Sequence, residues 1–218
     1  MTDFYYKLKN MWILYNFLTD ILFPKSCFVC KKPKNIICKN CLTNFSRAVD
    51  STSAYTYSHF SYKDENIKKI IHYIKYFHQK DLIRPLVEES LNDFKKLIDI
   101  ERKYLLIPIP STRLRKMIRG YNQAEIISKT YSELLNIPYQ TNILYRNKNT
   151  KQQAKSKNKT ERINNQKGSF QIKNFESLKD KTIILCDDVT TTGATLEEAR
   201  NVLLKNGFKN IVAITLAH

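Results

Sequence analysis

Asp187 and Asp188, followed after Val189 by Thr190, Thr191, Thr192, Gly193, Ala194 and Thr195, are the residues of this chain best suited to chemistry. Two carboxylates side by side cannot both be buried unpaired, so at least one must face a polar partner. Gly193 permits a backbone turn that other residues resist. Leu196, Ala199, Val202 and Leu203 follow with helical spacing, so the hydroxyl-rich run opens a helix. A helix start presents unpaired N–H groups and the positive end of a dipole, and it attracts phosphate. Threonine hydroxyls add donors, and paired carboxylates can accept hydrogen bonds from two vicinal sugar hydroxyls. One stretch thus supplies a phosphate cradle and a diol clamp, a combination that fits a ribose 5-phosphate. On spacing alone, the other reading is an ordinary strand-to-helix turn with an Asp cap.

A second cluster is made of sulfur. Four of the five cysteines fall at Cys27, Cys30, Cys38 and Cys41, as two Cys-x-x-Cys pairs separated by seven residues. Two such pairs favour one tetrahedral zinc ion over disulfides, and hence a reducing compartment. The intervening loop is short, so the expected form is a minimal knuckle whose metal supplies its folding energy. Cys186 stands apart in an apolar run, where cysteine usually acts as a small hydrophobe.

The third resource is positive charge. The chain carries 37 Lys and Arg against 20 Asp and Glu, a net charge of +17, with an isoelectric point near 9.6. An excess of that size suits nucleic acid, a phosphorylated ligand or an acidic membrane surface. Enrichment in Lys, Asn and Ile is also what an A- and T-biased codon usage produces, and both readings stay open. Two basic stretches stand out. Ser111 to Gln123 holds Arg113, Arg115, Lys116 and Arg119 with no acid, and reads as a loop facing the ligand crevice. Residues 143–168 hold eight Lys or Arg against one Glu with little apolar content. That stretch reads as a lid closing over a polyanion, a track for a nucleic-acid backbone, or a surface insertion.

The remaining elements must position these groups. Lys181 to Leu185 reads as a buried parallel strand feeding the acids. Tyr104 to Ile109 is a second, ended by Pro108 and Pro110. Ala54 to Tyr62 alternates aromatic and polar residues as a half-buried strand does, and Ile211 to Leu216 is a last strand. Helical spacing marks 64–77, 82–98 and the stretch after Gln123, with Ile126, Ile127 and Leu134 inward. Strands alternating with helices imply a parallel sheet with right-handed crossovers. The first 23 residues read as an amphipathic helix with Trp12, Tyr15, Leu18 and Leu22 on one face. It packs on its own protein or lies on a membrane surface; its apolar run is too short to span a bilayer, and no cleavage site follows.

Ile183 to Thr195 resembles the phosphoribosyl pyrophosphate (PRPP) signature of type I phosphoribosyltransferases. The order of motifs narrows the likeness: paired Cys-x-x-Cys, Pro-x-Pro leading to Arg119-Gly120-Tyr121-Asn122-Gln123-Ala124, then Arg146, Gln152, Arg162, Asn165, Gly168-Ser169-Phe170 and the Asp-Asp signature. It resembles the competence protein ComF (ComFC) family over nearly the whole chain, departing mildly at Tyr121 and Cys186. The resemblance implies an α/β, parallel-sheet, type I phosphoribosyltransferase-like domain over 51–218, with a small N-terminal helix and zinc knuckle over 1–50. Asp187 and Asp188 would hold the ribose hydroxyls and act in catalysis, and Thr190 to Thr195 would bind the 5-phosphate. Ser111, Arg113 and Arg119 match the pyrophosphate-binding region; Arg146, Gln152 and Arg162 match the flexible loop. The implied cofactors are structural zinc and magnesium bound with PRPP. The implied role is handling of single-stranded DNA in natural transformation, with competence-machinery partners, in the cytoplasm or peripherally at the inner face of its membrane. A metabolic phosphoribosyltransferase with an unidentified nucleophile is the alternative.

Overall fold

The structure, a computed structural model, describes residues 25–49, 53–99, 102–146 and 168–218. The helix expected before Phe23, and the loop residues Gln152, Arg162 and Asn165, lie outside the described residues. The chain divides into two compact units, Met1–Asn44 and Phe45–His218.

In the first unit the chain is folded around its sulfurs. Lys31 adopts a left-handed backbone at φ 64°, which turns the segment back so that Cys27 N–H reaches Lys32 O at 2.7 Å. Ser26 bridges Pro33, and Phe28 N–H donates to Ile36 O at 2.9 Å. A short helix, α1 (Lys39–Thr43), follows with Cys41 and Leu42 buried.

The second unit is built on four parallel strands in the order β1 (Thr56–Phe60), β6 (Ile211–Ala217), β5 (Thr182–Val189), β2 (Tyr104–Pro108). Parallel strands need crossovers, and covering both faces leaves near-continuous apolar runs. β2 is buried throughout, and β5 from Thr182 to Cys186. Alternate residues serve opposite layers. Leu105, Ile107, Ile183 and Leu185 pack with Leu196, Ala199 and Leu203 of α6 (Ala194–Lys205). The opposite layer comprises α3 (Ile83–Lys95) and α5 (Gln123–Leu135), with α5 on β5 and β2. Each buried Leu or Ile contributes about 1.5–3 kcal/mol, so the register of this layer is firmly specified.

Helix α2 (Glu65–Tyr76) starts where Asp64 Oδ1 accepts from Asn66 N at 2.8 Å and Ile67 N at 3.2 Å. Its Ile67, Ile70, Ile71 and Ile74 are buried, as their spacing requires. Two features depart from expectation. The basic segment after Pro110 is not a loop but a two-turn helix, α4 (Arg113–Arg119), capped by Thr112 and ended by Gly120 at φ 72°. And the chain forms a short strand, β3 (Leu144–Arg146), antiparallel to β4 (Phe170–Ile172). Ile143 and Leu144 are fully buried there, a pair too short for periodicity to reveal. In α5, Ile127 is buried while Ile126 and Leu134 are only half-buried; Tyr131 fills the inward position instead.

Candidate functional site

β5 carries the site because it is an interior strand that runs on past the end of β2, whose Pro108 pairs with Cys186, and ends level with β6. Asp187 pairs in register with Thr215, and Val189 with Ala217. Asp188 is 8% exposed and Asp187 half-buried. Their carboxylates are held by the backbone itself: Asp188 N–H donates to Asp187 Oδ1 at 2.9 Å and Val189 N–H to Asp188 Oδ1 at 2.7 Å. Lys75, in the last turn of α2, places Nζ 3.0 Å from Asp188 Oδ2. Among the described residues no cation forms an ion pair with Asp187. Burial, then the Asp188 charge, pushes the Asp187 carboxyl up to about 7, although the Asp188 amide, Lys75 and Arg146 pull it down. A carboxyl titrating near neutrality is suited to proton transfer at working pH.

Arg146 closes the opposite side. It sits at the end of β3, donates from Nε to Pro110 O at 2.9 Å and lies over the Phe170 ring at 4.9 Å. Its guanidinium is buried enough that its affinity for a proton is lowered, first by desolvation and then by the Arg115 charge, while Asp187 opposes both. Asp187, Arg146 and Arg115 therefore share one electrostatic environment, and Lys75 joins it through Asp188.

The hydroxyl-rich loop turns as its composition demands. Gly193 stands at φ 74° and caps α6, a conformation that glycine adopts without steric cost. Ala194 N–H leans on Thr192 Oγ1 at 3.4 Å, and Glu197 N–H already bonds Gly193 O at 2.8 Å, as the first intrahelical bond. The amides between them open the helix, where an anion is favoured. Thr191 is exposed and Thr195 half-buried. Thr190 is different: it is buried and its N–H bonds Ala217 O at 3.1 Å, so it anchors the loop to β6.

The pyrophosphate candidates separate. Ser111 Oγ is buried with no hydrogen-bond partner among the described residues. Arg113 is exposed at the start of α4. Arg119 turns away: its guanidinium lies over Tyr76 at 5.5 Å and donates to Gln123 Oε1 at 3.2 Å. Arg115 is the α4 cation that bears on Arg146. Lys75 was not legible as a site residue, and Arg115 only as part of its basic segment. A lysine in the last turn of an amphipathic helix carries no local mark of a distant acid, and Arg115 is one basic residue among four.

The four cysteine sulfurs of the knuckle lie within 4.8 Å of one another, and Cys30 Sγ is 3.6 Å from Cys38 Sγ. Zinc–sulfur bonds of ~2.3 Å in a tetrahedron put neighbouring sulfurs about 3.8 Å apart, so the cluster fits one zinc ion. Burial alone would raise the Cys27 thiol, but N–H groups of Cys30, Cys38 and Val29 hold it down at about 6. Cys38 N–H lies 3.4 Å from Cys27 Sγ, the arrangement a thiolate ligand takes. Among the described residues no other group of this kind occurs.

Several known proteins are similar to this chain. A model of the phosphoribosyl transferase domain matches residues 126–218, and the second unit has a type I phosphoribosyltransferase-like fold. Competence protein ComFC of Bacillus subtilis is 30% identical over 189 residues, spanning 83% of this chain and 72% of that protein. Competence protein F of Haemophilus influenzae is 34% identical over 129 residues, 59% of this chain and 56% of that protein. Among solved structures, adenine phosphoribosyltransferase of Leishmania tarentolae aligns with a TM-score of 0.39 at 12% identity, over 65% of this chain and 73% of that one.

Proposed function

From the premise that this chain belongs to the competence protein ComF family, we propose that it binds PRPP with magnesium and handles single-stranded DNA during natural transformation. Its place would be the inner face of the cytoplasmic membrane; no helix among the described residues is long and apolar enough to cross one. The observation that carries the ligand reading is the meeting of paired acids and partly desolvated cations where β5 gives way to α6. Asp187 and Asp188 accept from the ribose hydroxyls, and the amides opening α6 hold the 5-phosphate. Arg146, Arg115 and Ser111 face the pyrophosphate, where guanidinium groups give paired donors to phosphate oxygens. Magnesium carried by the ligand would neutralise charge on the leaving pyrophosphate.

A metabolic phosphoribosyltransferase is the second reading, favoured by the Asp187 carboxyl near 7, which suits deprotonation of an accepting nucleophile. Thermal unfolding with PRPP and magnesium tests the binding. Saturation at a hundredfold excess over Kd is expected to add about 2.7 kcal/mol. Asp187→Ala with Asp188→Ala is expected to remove that shift, and an equal shift in the double variant would refute the site. Pyrophosphate release, with and without single-stranded DNA, separates the two readings.

A further inference from the structure

The basic stretch after Arg146 contains no Phe, Tyr or Trp before Phe170. Sequence-tolerant binding of single-stranded nucleic acid needs flat aromatic faces for the bases beside cations for the backbone. In this protein such faces lie elsewhere. Of the eight large apolar side chains exposed among the described residues, five belong to two short segments, Tyr76 and Phe77 at the end of α2, and Leu114, Met117 and Ile118 on α4. Clustering of this kind leaves apolar area in water that folding alone does not explain.

The two segments form one surface. Tyr121 Oη donates to Ile74 O at 2.5 Å. His78 Nδ1 donates to Arg119 O at 2.9 Å. The Arg119 guanidinium covers one side of Tyr76, 5.5 Å from its centroid. Aromatic neighbours pack on the shelf: Tyr73 stacks on Phe77 with centroids 4.6 Å apart and planes 25° apart, and His72 lies 4.8 Å from Tyr76. Tyr76 stays 58% exposed and Phe77 52% despite these contacts. The rings are therefore held in place yet open, which lowers the ordering cost of stacking something on them. Lys75, in the same turn, is the residue paired to Asp188 at 3.0 Å, so the shelf adjoins the acidic crevice.

We infer that Tyr76 and Phe77 form a stacking shelf for the bases of single-stranded DNA, with the cations of α4 following its phosphates. The inference rests on the DNA reading above and assigns it a surface. Charge selects this occupant over a protein segment. α4, which reaches the shelf through Arg119, carries Arg113, Arg115, Lys116 and Arg119 and no acid; the nearby acids are Glu125, 3.6 Å from Lys116, Asp81, whose charge acts on Tyr121, and Asp188, which Lys75 already pairs at 3.0 Å. A duplex hides its base faces in its own stack, so the shelf selects single strands.

The test is fluorescence anisotropy with a labelled thymidine oligonucleotide, read at several salt concentrations. Tyr76→Ala with Phe77→Ala is expected to weaken binding about tenfold or more, the loss typical of stacked bases, while the slope of affinity against salt stays unchanged because phosphate contacts remain. Tyr76→Trp with Phe77→Trp is expected to bind at least as tightly as the parent. An oligonucleotide of abasic sites is expected to bind the parent as weakly as thymidine binds the alanine variant. If the parent binds the oligonucleotide and the alanine variant binds it equally well, the shelf is wrong and the DNA reading survives. If the parent binds no oligonucleotide even at low salt, both fall. The PRPP-induced thermal shift serves as a check of folding in each variant and is expected to be unchanged.

Discussion

Replacing Asp187 by asparagine is expected to stabilise the ligand-free protein in mild alkali and to abolish its response to PRPP. The native carboxyl stands at about 7 against an ordinary 3.8, because burial and then the Asp188 charge disfavour its anion. Between those values the native state holds a proton that the unfolded chain has released, so stability falls as pH rises through the window and levels off above about 7. Some three units at ~1.4 kcal/mol each set an upper bound of about 4 kcal/mol. Asparagine keeps an acceptor for the Asp188 amide, which now bonds Asp187 Oδ1 at 2.9 Å. It loses the attraction to Lys75 and Arg146 and must bury an amide N–H₂ group. A net gain of about 2 kcal/mol is the working figure near pH 8, or a rise in Tm of about 4–8 °C for a chain of this size. Linkage removes about 2.6 kcal/mol between pH 8 and pH 5, so the gap should close at about pH 5.5 and reverse below it. Thermal melts across pH 5 to 8, with and without PRPP and magnesium, read both effects. A variant that melts below the parent near pH 8, or a gap that ignores pH, would show that Asp187 is not strained by its site.

The buried His59 gives the opposite pH signature in the same window. Burial, then the Arg47 charge, lowers its imidazole to about 4, although Asp93 and Glu89 act to raise it; Tyr57 Oη also bonds its Nδ1 at 3.1 Å. Its contribution is complete above the ordinary histidine value of 6.5 and is lost as pH falls toward 4, up to about 3 kcal/mol; His59→Gln is expected to flatten that acid limb in urea melts. At the knuckle, Cys38→Ser is expected to abolish stoichiometric zinc, measured by a chromogenic dye after unfolding. A chelator should melt the Met1–Asn44 unit, since structural zinc supplies on the order of 10 kcal/mol to domains of this size. An unchanged circular dichroism spectrum after zinc removal would overturn that role.

Much of this protein was legible in its linear order because the signals are local. Paired Cys-x-x-Cys, an apolar run ending in Asp187-Asp188 and a Gly193 turn each carry their chemistry within a few residues. Periodicity likewise located all four strands of the parallel sheet and the helices α2, α3, α5 and α6, since burial on one face or two leaves its own repeat. Helix α4 and strand β3 were not legible. Arg113 to Arg119 is amphipathic toward nothing: none of its residues is buried, so its helix shows only in the Thr112 cap and Gly120 stop. β3 has three residues, too few for any period.

Only the tertiary structure decided which charges meet. Lys75 and Asp188 are 113 positions apart in the chain, yet they form an ion pair because α2 ends at the edge where β5 ends. Arg119, the basic residue best placed by motif, turns to Tyr76, while Arg146 bears on Asp187 and Arg115 on Arg146. A charge acts on whatever shares its surroundings, and those surroundings are assembled by the sheet order rather than by spacing along the chain. Residue types alone therefore determined what chemistry this protein can hold, and folding determined which side chains hold it.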